Sequence, residues 1–261
     1  MGNSSAACPD RSFGNLRGGL PVAQRYGYER IRLQAYPLTG VSCSWVRSAS
    51  GIYGGVAAED RRAERRRRLL DAGLDLIATE GWASTSVRRV CQRAGLSSRF
   101  FYESFDSLDA LAVAVVDEIA EETVGGLVRA LGSGEDQIER IKAGVAALVT
   151  GLTDDPRKAR VAFVEALGSE PVMKRRLAIM ASVAQVLEAE FNRSYDEVIE
   201  DKRFVRLAAL GLTGLFVELM IAWTWGQIES TREEMILDIT DLVLANIEGT
   251  VAFARRRAAR A

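Results

Sequence analysis

The chain has 261 residues, enough to bury the core of one or two domains. It contains no histidine, and its three cysteines, Cys8, Cys43 and Cys91, lie too far apart for a zinc motif or a disulfide framework. With no phosphate-cradling glycine loop and no nucleophile elbow, the sequence argues against an enzyme. We therefore expect no catalytic residue, no metal and no cofactor, in a protein of the reducing cytoplasm.

Residues 1–58 differ in composition from the rest of the chain. They are rich in Gly, Ser and Arg, contain no Lys, and show neither a helical nor an alternating period. We expect a disordered extension here. A basic start is not followed by a continuous apolar core, which argues against a signal peptide.

Charge is distributed unevenly after this extension. Residues 59–105 contain ten arginines and seven acidic residues, a net charge of +3, whereas residues 106–250 contain 14 basic and 26 acidic residues, a net charge of -12. The contrast indicates that only the first segment approaches a polyanion, because neutralising phosphates supplies much of the affinity for nucleic acid. Six of the arginines lie within 61–68, a run that alone is equally typical of a solvated helix face.

Three helices are predicted in the basic segment. The first spans 59–79 by the period of its apolar residues. The second is entered through Thr85 or Ser86 as N-cap and ends at Gly95, and its apolar stripe consists of Val87, Val90, Cys91 and Ala94. Ser97 caps the third, which carries Phe101 and Phe105. Two short helices joined by a tight glycine turn form a helix-turn-helix, whose second helix lies in the major groove of DNA.

The run 65–111 resembles the N-terminal DNA-binding domain of the TetR family of bacterial transcriptional regulators. The matching residues are Gly81, Trp82, Thr85, Ser86, Val87, Ala94, Gly95, Leu96, Ser97, Tyr102 and Phe105. The resemblance implies a homodimer whose recognition helices bind adjacent major grooves of a near-palindromic double-stranded DNA operator. It also implies a C-terminal helical domain that binds an effector and lowers the affinity for DNA. The function predicted from it is that of a repressor.

Position in the motif assigns the DNA contacts. We expect Ser98, Arg99 and Phe100 to read bases, with Arg99 as a bidentate reader of guanine, although Phe100 is as readily an extra core residue. Ser86, Tyr102 and Ser104 are expected to hold the phosphate backbone. The complete predicted set is Thr85, Ser86, Ser97, Ser98, Arg99, Phe100, Tyr102, Glu103 and Ser104. For residues 1–58 two interpretations remain, a basic arm for the minor groove or a translation start assigned too far upstream.

The remainder of the chain is predicted to be helical. Asp155 followed by Pro156, and the capping box of Thr231 with Glu234, mark two helix starts. Helices are expected over 107–131, 135–152, 156–168, 171–192, 201–227 and 231–257. The fold class is all-α, with an N-terminal three-helix helix-turn-helix domain and a C-terminal helical bundle. The predicted domains are the extension at 1–58, a DNA-binding domain at 59–106 and an effector-binding and dimerisation domain at 107–257.

Two interpretations compete for the apolar segment 207–226. Its 20 residues carry one charge, Glu218, and are long enough to span a bilayer, with basic residues before it and tryptophans at its end. The mid-segment acid, together with Gly211 and Gly214, favours instead a helix buried all round in a soluble bundle. We therefore expect no membrane contact. The alternative is a membrane-anchored helical interaction protein that uses 207–226 as its span.

Helices 201–227 and 231–257 are expected to form the homodimer interface, as a four-helix bundle with the partner's pair. We also expect a cavity for a small, largely hydrophobic effector, lined in part by Phe163, Met180, Phe216, Met220 and Trp223. The last three form one helical stripe, which is equally typical of a plain core. The predicted protein is cytoplasmic, and associated with the nucleoid when bound to DNA.

Overall fold

The computed structural model describes residues 55–133, 136–195 and 201–259, and within these ranges every regular element is a helix. The all-α prediction is confirmed. The helices are α1 (Gly55–Glu80), α2 (Val87–Ala94), α3 (Ser98–Tyr102), α4 (Leu108–Ser133), α5 (Gln137–Thr153), α6 (Pro156–Phe163), α7 (Glu170–Tyr195), α8 (Lys202–Thr224) and α9 (Arg232–Ala258). The predicted extension over 1–58 lies outside the described residues, except that α1 already begins at Gly55.

Helix boundaries follow the capping residues. The side chain of Ser86 accepts a hydrogen bond from the backbone N–H of Arg89 at the start of α2. Gly95 ends that helix with φ of 63°, in the left-handed region that residues with a Cβ rarely adopt. At the start of α9, Thr231 and Glu234 form both hydrogen bonds of a capping box. The sequence signals for these three boundaries are confirmed.

Helices α1, α2 and α3 form the N-terminal helix-turn-helix domain around a shared core. Leu69, Val90 and Phe101, one from each helix, have no exposed surface. The ring of Phe101 also packs against that of Phe105, with centroids 5.8 Å apart. Because α3 has only five residues, this core and not the helix itself holds it in place. Helix α4 leads from this domain into the C-terminal helices.

Helix α8 departs from the sequence prediction, because only one of its faces is buried. Val205 is 1% exposed, whereas Leu207 and Leu210 are 52% and 47% exposed. A Cβ added at Gly211 or Gly214 would have no neighbour within 4 Å. The expectation of a helix buried all round is therefore wrong for the single chain, in which α6, α7 and α9 pack against α8 and leave the face with Leu207 and Leu210 uncovered. Among the described helices, α8 is the one with the length and hydropathy to cross a membrane, properties that helices of soluble cores share.

Candidate DNA-binding surface and ligand cavity

Helix α3 and the turn before it present a polar surface to solvent. Arg99 projects furthest, with 84% of its side chain exposed, and Tyr102 is 60% exposed. Ser97, Ser98 and Glu103 complete the exposed part of the predicted contact set. The core behind the helix is fixed by Phe101, so these side chains are displayed on a rigid support. The arrangement suits an element that enters a groove of DNA.

The other predicted contact residues are partly or wholly buried. Thr85 is 8% exposed, and its hydroxyl donates a hydrogen bond to the carbonyl of Gly81 at 2.9 Å. Ser86 is half-buried as the cap of α2. The hydroxyl of Ser104 donates to the carbonyl of Phe100 at 3.1 Å, and the half-buried ring of Phe100 lies 4.6 Å from the guanidinium of Arg65. Thr85, Ser104 and Phe100 are thus engaged in holding the motif.

Arg99 and Glu103 form an ion pair on the exposed face of α3. The Nε of Arg99 donates to Oε1 of Glu103 at 3.0 Å, one helical turn away. Such an exposed pair contributes little to stability. It does hold the predicted base-reading guanidinium beside a carboxylate, which DNA phosphates repel. The pair therefore restricts the orientation of Arg99.

Two arginines of α1 close the C-terminal end of α3. Arg62 donates to the carbonyl of Glu103 and Arg66 to the carbonyl of Ser104, each at 3.1 Å. The guanidinium of Arg66 also lies 4.3 Å from the centre of the Phe105 ring. These carbonyls lack helical partners because α3 is so short, and the arginines satisfy them. Sequence reasoning missed this role, although the spacing of four residues places Arg62 and Arg66 on one face of α1.

Arg88 was also missed by the sequence analysis. It is exposed in the first turn of α2 and has no ion-pair or hydrogen-bond partner within the part of the chain that the structure describes. Its neighbour Arg89 instead forms an ion pair with Glu80. An unpaired arginine beside the recognition helix is available to a phosphate. Its position in the sequence could have identified it, because Arg88 is the second residue of α2 and follows the N-cap Ser86 by two residues.

A cavity of about 170 Å³ lies among the C-terminal helices, with walls from α4, α5, α6, α7, α8 and α9. Of the predicted effector contacts, Phe163, Met180 and Phe216 line it. Met220 does not line the cavity and is fully buried in the core. Trp223 does not line it either, and its indole N–H donates to the carbonyl of Ser230 at 2.9 Å. Of the predicted stripe on α8, Phe216 therefore lines the cavity, whereas Met220 and Trp223 pack within the protein.

The orientation of the cavity follows from contacts between α4 and α7. The hydroxyl of Ser169, just before α7, donates to Asp109 at 2.5 Å, Arg175 pairs with Asp117, and Arg193 donates to the carbonyl of Leu131 at 3.3 Å. Residues about 60 positions apart therefore face each other along both helices, which run parallel. The cavity extends between them, from the end near the helix-turn-helix domain to the far end.

Helix α6 joins the cavity to the DNA-binding domain. Phe163 lines the cavity, while Arg157, on the same helix, donates to Asp71 of α1 at 3.1 Å. Arg157 also binds Asp155, which caps α6, and the hydrogen bonds from Arg157 lower the pKa of the Asp155 carboxyl. Just after α6, the carboxylate of Glu165 accepts a hydrogen bond from the backbone N–H of Trp82 at 3.0 Å.

Cys91 is buried on the apolar stripe of α2, and burial raises the pKa of its thiol. It is therefore a poor nucleophile and acts as a small core residue. Within residues 55–133, 136–195 and 201–259, no cluster of three or more His, Cys, Asp or Glu side chains is placed to hold a metal ion.

The sequence is similar to those of known bacterial regulators. Residues 69–115 match the model of the bacterial regulatory proteins of the tetR family. The HTH-type transcriptional activator FasR of Mycolicibacterium smegmatis is 27% identical over 194 residues, which cover 74% of this chain and 82% of that protein.

Two solved structures show the same fold. The fatty acid degradation regulator FadR of Bacillus halodurans has a TM-score of 0.62 at 16% identity, covering 69% of this chain and 94% of that one. FadR of Bacillus subtilis, solved in complex with stearoyl-CoA, has a TM-score of 0.62 at 15% identity, covering 69% of this chain and 98% of that one.

Proposed function

We propose that this chain is a TetR-family transcriptional regulator that acts as a homodimeric repressor and is released from a near-palindromic operator by a long, largely apolar effector. The observation that carries the proposal is the position of α6. Two of its residues, Ala162 and Phe163, line a largely apolar cavity, and Arg157 is bound to α1 of the DNA-binding domain. A ligand that displaces α6 then acts on the DNA-binding surface. The domain division at 59–106 and 107–257 follows this separation of roles.

DNA recognition is assigned to α3 and the start of α2. Arg99 reads a guanine, and Ser98 contacts the neighbouring base. Tyr102 and Arg88 hold phosphates on either side, since both are exposed and their hydrogen-bonding groups are free to reach the backbone. Two copies of the surface, one for each protomer, bind major grooves one helical turn apart, or a multiple of it. This geometry requires a dimer and an operator with two-fold symmetry.

Dimerisation is assigned to the exposed apolar face of α8 and α9. On α8 this face contains Leu207, Leu210, Gly211 and Gly214, spaced as one stripe of a helix. On α9 the exposed apolar residues of this face are Leu242 and Phe253, which lie on the same side of the helix and are 44% and 58% exposed. The two glycines allow another helix to approach closely. A second copy of the same pair of helices would cover this face as a four-helix bundle.

The effector is assigned to the class of long-chain acyl compounds. The cavity is walled mainly by aliphatic and aromatic side chains, contributed by six helices. The stearoyl-CoA complex of Bacillus subtilis FadR supports this assignment, because that protein shares the fold. Phe163, Met180 and Phe216 contact the chain of the ligand. Met180 is suited to this contact because its flexible side chain adapts to an irregular apolar partner.

A second candidate function is transcriptional activation. It is favoured by the similarity to FasR, a transcriptional activator that aligns with 74% of this chain. Both candidates use the same DNA-binding surface and the same cavity. They differ in where the operator lies. The operator of a repressor overlaps the promoter, whereas that of an activator lies upstream of the promoter. Transcription in vitro with purified polymerase separates them, since the unliganded protein lowers transcript yield in one case and raises it in the other.

The experiment that tests the proposed function is selection of bound genomic fragments by the purified protein, followed by footprinting. We expect a protected site with inverted half-sites about one or two helical turns apart. Binding that shows no preference among fragments would contradict the proposal. The competing function of a membrane-anchored protein predicts recovery with membranes after a high-salt wash. We propose instead a cytoplasmic protein that associates with the nucleoid through its operator.

A further inference from the structure

Arg176 is an exception among the basic residues of α7. It lines the cavity, and it has no hydrogen bond or ion pair with any of the residues that the structure describes. The two preceding residues are paired, Lys174 with Glu170 at 2.6 Å and Arg175 with Asp117. Arg176 is only partly exposed, so water does not fully replace the missing partner. A guanidinium placed in this way costs stability, since burying an unpaired charge is unfavourable.

The charge on Arg176 persists despite its surroundings. Burial lowers the pKa of this guanidinium, but the pKa of arginine in water is so high that the group stays protonated at neutral pH. Among the described residues that line the cavity, Arg176 is the one Lys or Arg. A cation therefore faces a space that is lined mainly by apolar side chains. Its five donors are arranged to bind a carboxylate or a phosphate in a bidentate manner.

The opposite end of the cavity holds polar groups that are already satisfied. Gln137 donates a hydrogen bond to the hydroxyl of Tyr195 at 2.7 Å. The carboxylate of Glu190 is paired with Arg193 and lies 3.6 Å from Arg140. These groups have no unpaired charge to offer a ligand. The cavity thus has an unpaired cation at the end with Arg176 and paired polar groups at the end with Tyr195.

We infer that Arg176 binds the anionic head group of the effector, whose apolar chain extends along α7 toward Tyr195. This inference rests on the proposed function and specifies its ligand as a chain with an anion at one end. From Arg176 to Tyr195, α7 rises by about 28 Å at about 1.5 Å per residue, so the wall is long enough for a long acyl chain. The carboxylate of a fatty acid and the phosphates of an acyl-CoA share the required chemistry.

The parallel register of α4 and α7 fixes the direction of the ligand. Arg176 follows Arg175, whose partner Asp117 lies in the first half of α4, close to the DNA-binding domain. The head group therefore lies at the end of the cavity nearer to the helix-turn-helix, and the tail at the far end. Charge on the ligand is placed where α4 leaves the DNA-binding domain. An uncharged ligand of the same length would fill the tail region without reaching this cation.

Calorimetric titration of the full-length protein tests the inference. The probes are palmitate, methyl palmitate and palmitoyl-CoA, each below its micellar concentration. The variants are Arg176→Gln and Arg176→Lys, with Lys174→Gln as a matched control that removes one charge from the solvent side of the same helix. Wild-type protein is expected to bind at least one anionic probe about tenfold more tightly than methyl palmitate, because a charge-assisted hydrogen bond distinguishes them.

Arg176→Gln is expected to remove this preference and leave the affinity for methyl palmitate unchanged. Arg176→Lys should keep most of the preference for anionic probes, and Lys174→Gln should keep all of it. If Arg176→Gln loses affinity for palmitate, the anion is a carboxylate; if it loses affinity for palmitoyl-CoA, the anion is a phosphate; if it loses both, Arg176 accepts either group. Equal affinities in wild type and Arg176→Gln, or an equal loss for all three probes, would overturn the inference. Wild-type protein that binds methyl palmitate as tightly as the anions would overturn it while leaving the proposed cavity intact, and binding of no probe would overturn both.

Discussion

The backbone N–H of Trp82 donates a hydrogen bond to the carboxylate of Glu165 at 3.0 Å, across 83 residues of sequence. Trp82 begins the short 3-10 helix Trp82–Ser84 before α2, and Glu165 begins the 3-10 helix Glu165–Gly168 after α6. The second oxygen of Glu165 is 3.6 Å from the guanidinium of Arg160. The carboxylate of Glu165 therefore connects the segment after α6 to the DNA-binding domain, alongside the contact of Arg157 with α1.

Glu165→Ala is expected to weaken the coupling between the effector and DNA. The variant loses the acceptor for Trp82, so unfolding should become easier by about 1–2 kcal/mol. Ligand affinity should stay the same, because Glu165 does not line the cavity. The ligand-induced change in operator affinity, typically about 1–3 kcal/mol for coupled sites, should shrink by at least about half. Glu121→Ala, at an exposed position of α4, is the control, and the same coupling in both variants would contradict the role of Glu165.

Stability should depend on pH through Asp155. Hydrogen bonds from Arg157 lower the pKa of this carboxyl in the folded protein, so its contribution is present above the unfolded value of about 3.9. That contribution is lost as pH falls through the folded pKa. Asp155→Asn should therefore be less stable than wild type by about 1 kcal/mol near neutral pH. The difference should vanish below both pKa values. Urea unfolding across this range measures it, and a pH-independent difference would assign the effect to helix capping alone.

Opposite effects are expected from the two ends of the Arg99–Glu103 pair. Arg99→Ala should weaken operator binding by about 1–3 kcal/mol and relax the base preference at one position in each half-site. Glu103→Gln should strengthen binding, because it removes a negative charge near the phosphates and releases the guanidinium. Competition binding with single-base operator variants measures both. Lys142→Ala, an exposed change on α5, should have no effect, and unchanged binding by Arg99→Ala would refute its assignment to bases.

Leu210→Glu should dissociate the proposed dimer. The side chain is 47% exposed in the single chain, so the change is tolerated in a monomer but places two unpaired carboxylates in the interface. Sedimentation velocity at micromolar concentration should show a dimer for wild type and a monomer for the variant. Val128→Glu, at a 50% exposed position on α4, should remain dimeric. A monomeric wild type, or a dimeric Leu210→Glu, would exclude this face.

Most helix boundaries could be predicted because their signals are local. Ser86, Gly95 and the Thr231–Glu234 capping box act within one turn of their own helices, so the sequence contains all that is needed. The helix-turn-helix was recognisable for the same reason, and the match over residues 69–115 confirms it. Helix α3 ended earlier than expected, because Arg66 and its neighbours on α1 satisfy carbonyls that a longer helix would have paired.

The features that could not be predicted from the sequence depend on packing between helices that are distant in the chain. The apolar segment of α8 does not reveal that only one of its faces is covered within the chain. The stripe of Phe216, Met220 and Trp223 was visible, but which member lines a cavity is decided by α4, α5 and α7. Arg176 was overlooked because it follows Lys174 and Arg175, and a basic run of three residues is typical of a solvated face.

The most direct test of effector-controlled DNA binding is the affinity of the protein for its operator, measured with and without a bound acyl ligand on the same sample. Fluorescence anisotropy of a labelled operator gives the affinity, and calorimetry establishes that the cavity is occupied. We expect saturation with palmitoyl-CoA or palmitate to weaken operator binding at least about tenfold, equivalent to about 1.4 kcal/mol. Unchanged operator affinity in a protein shown to be saturated with ligand would contradict it.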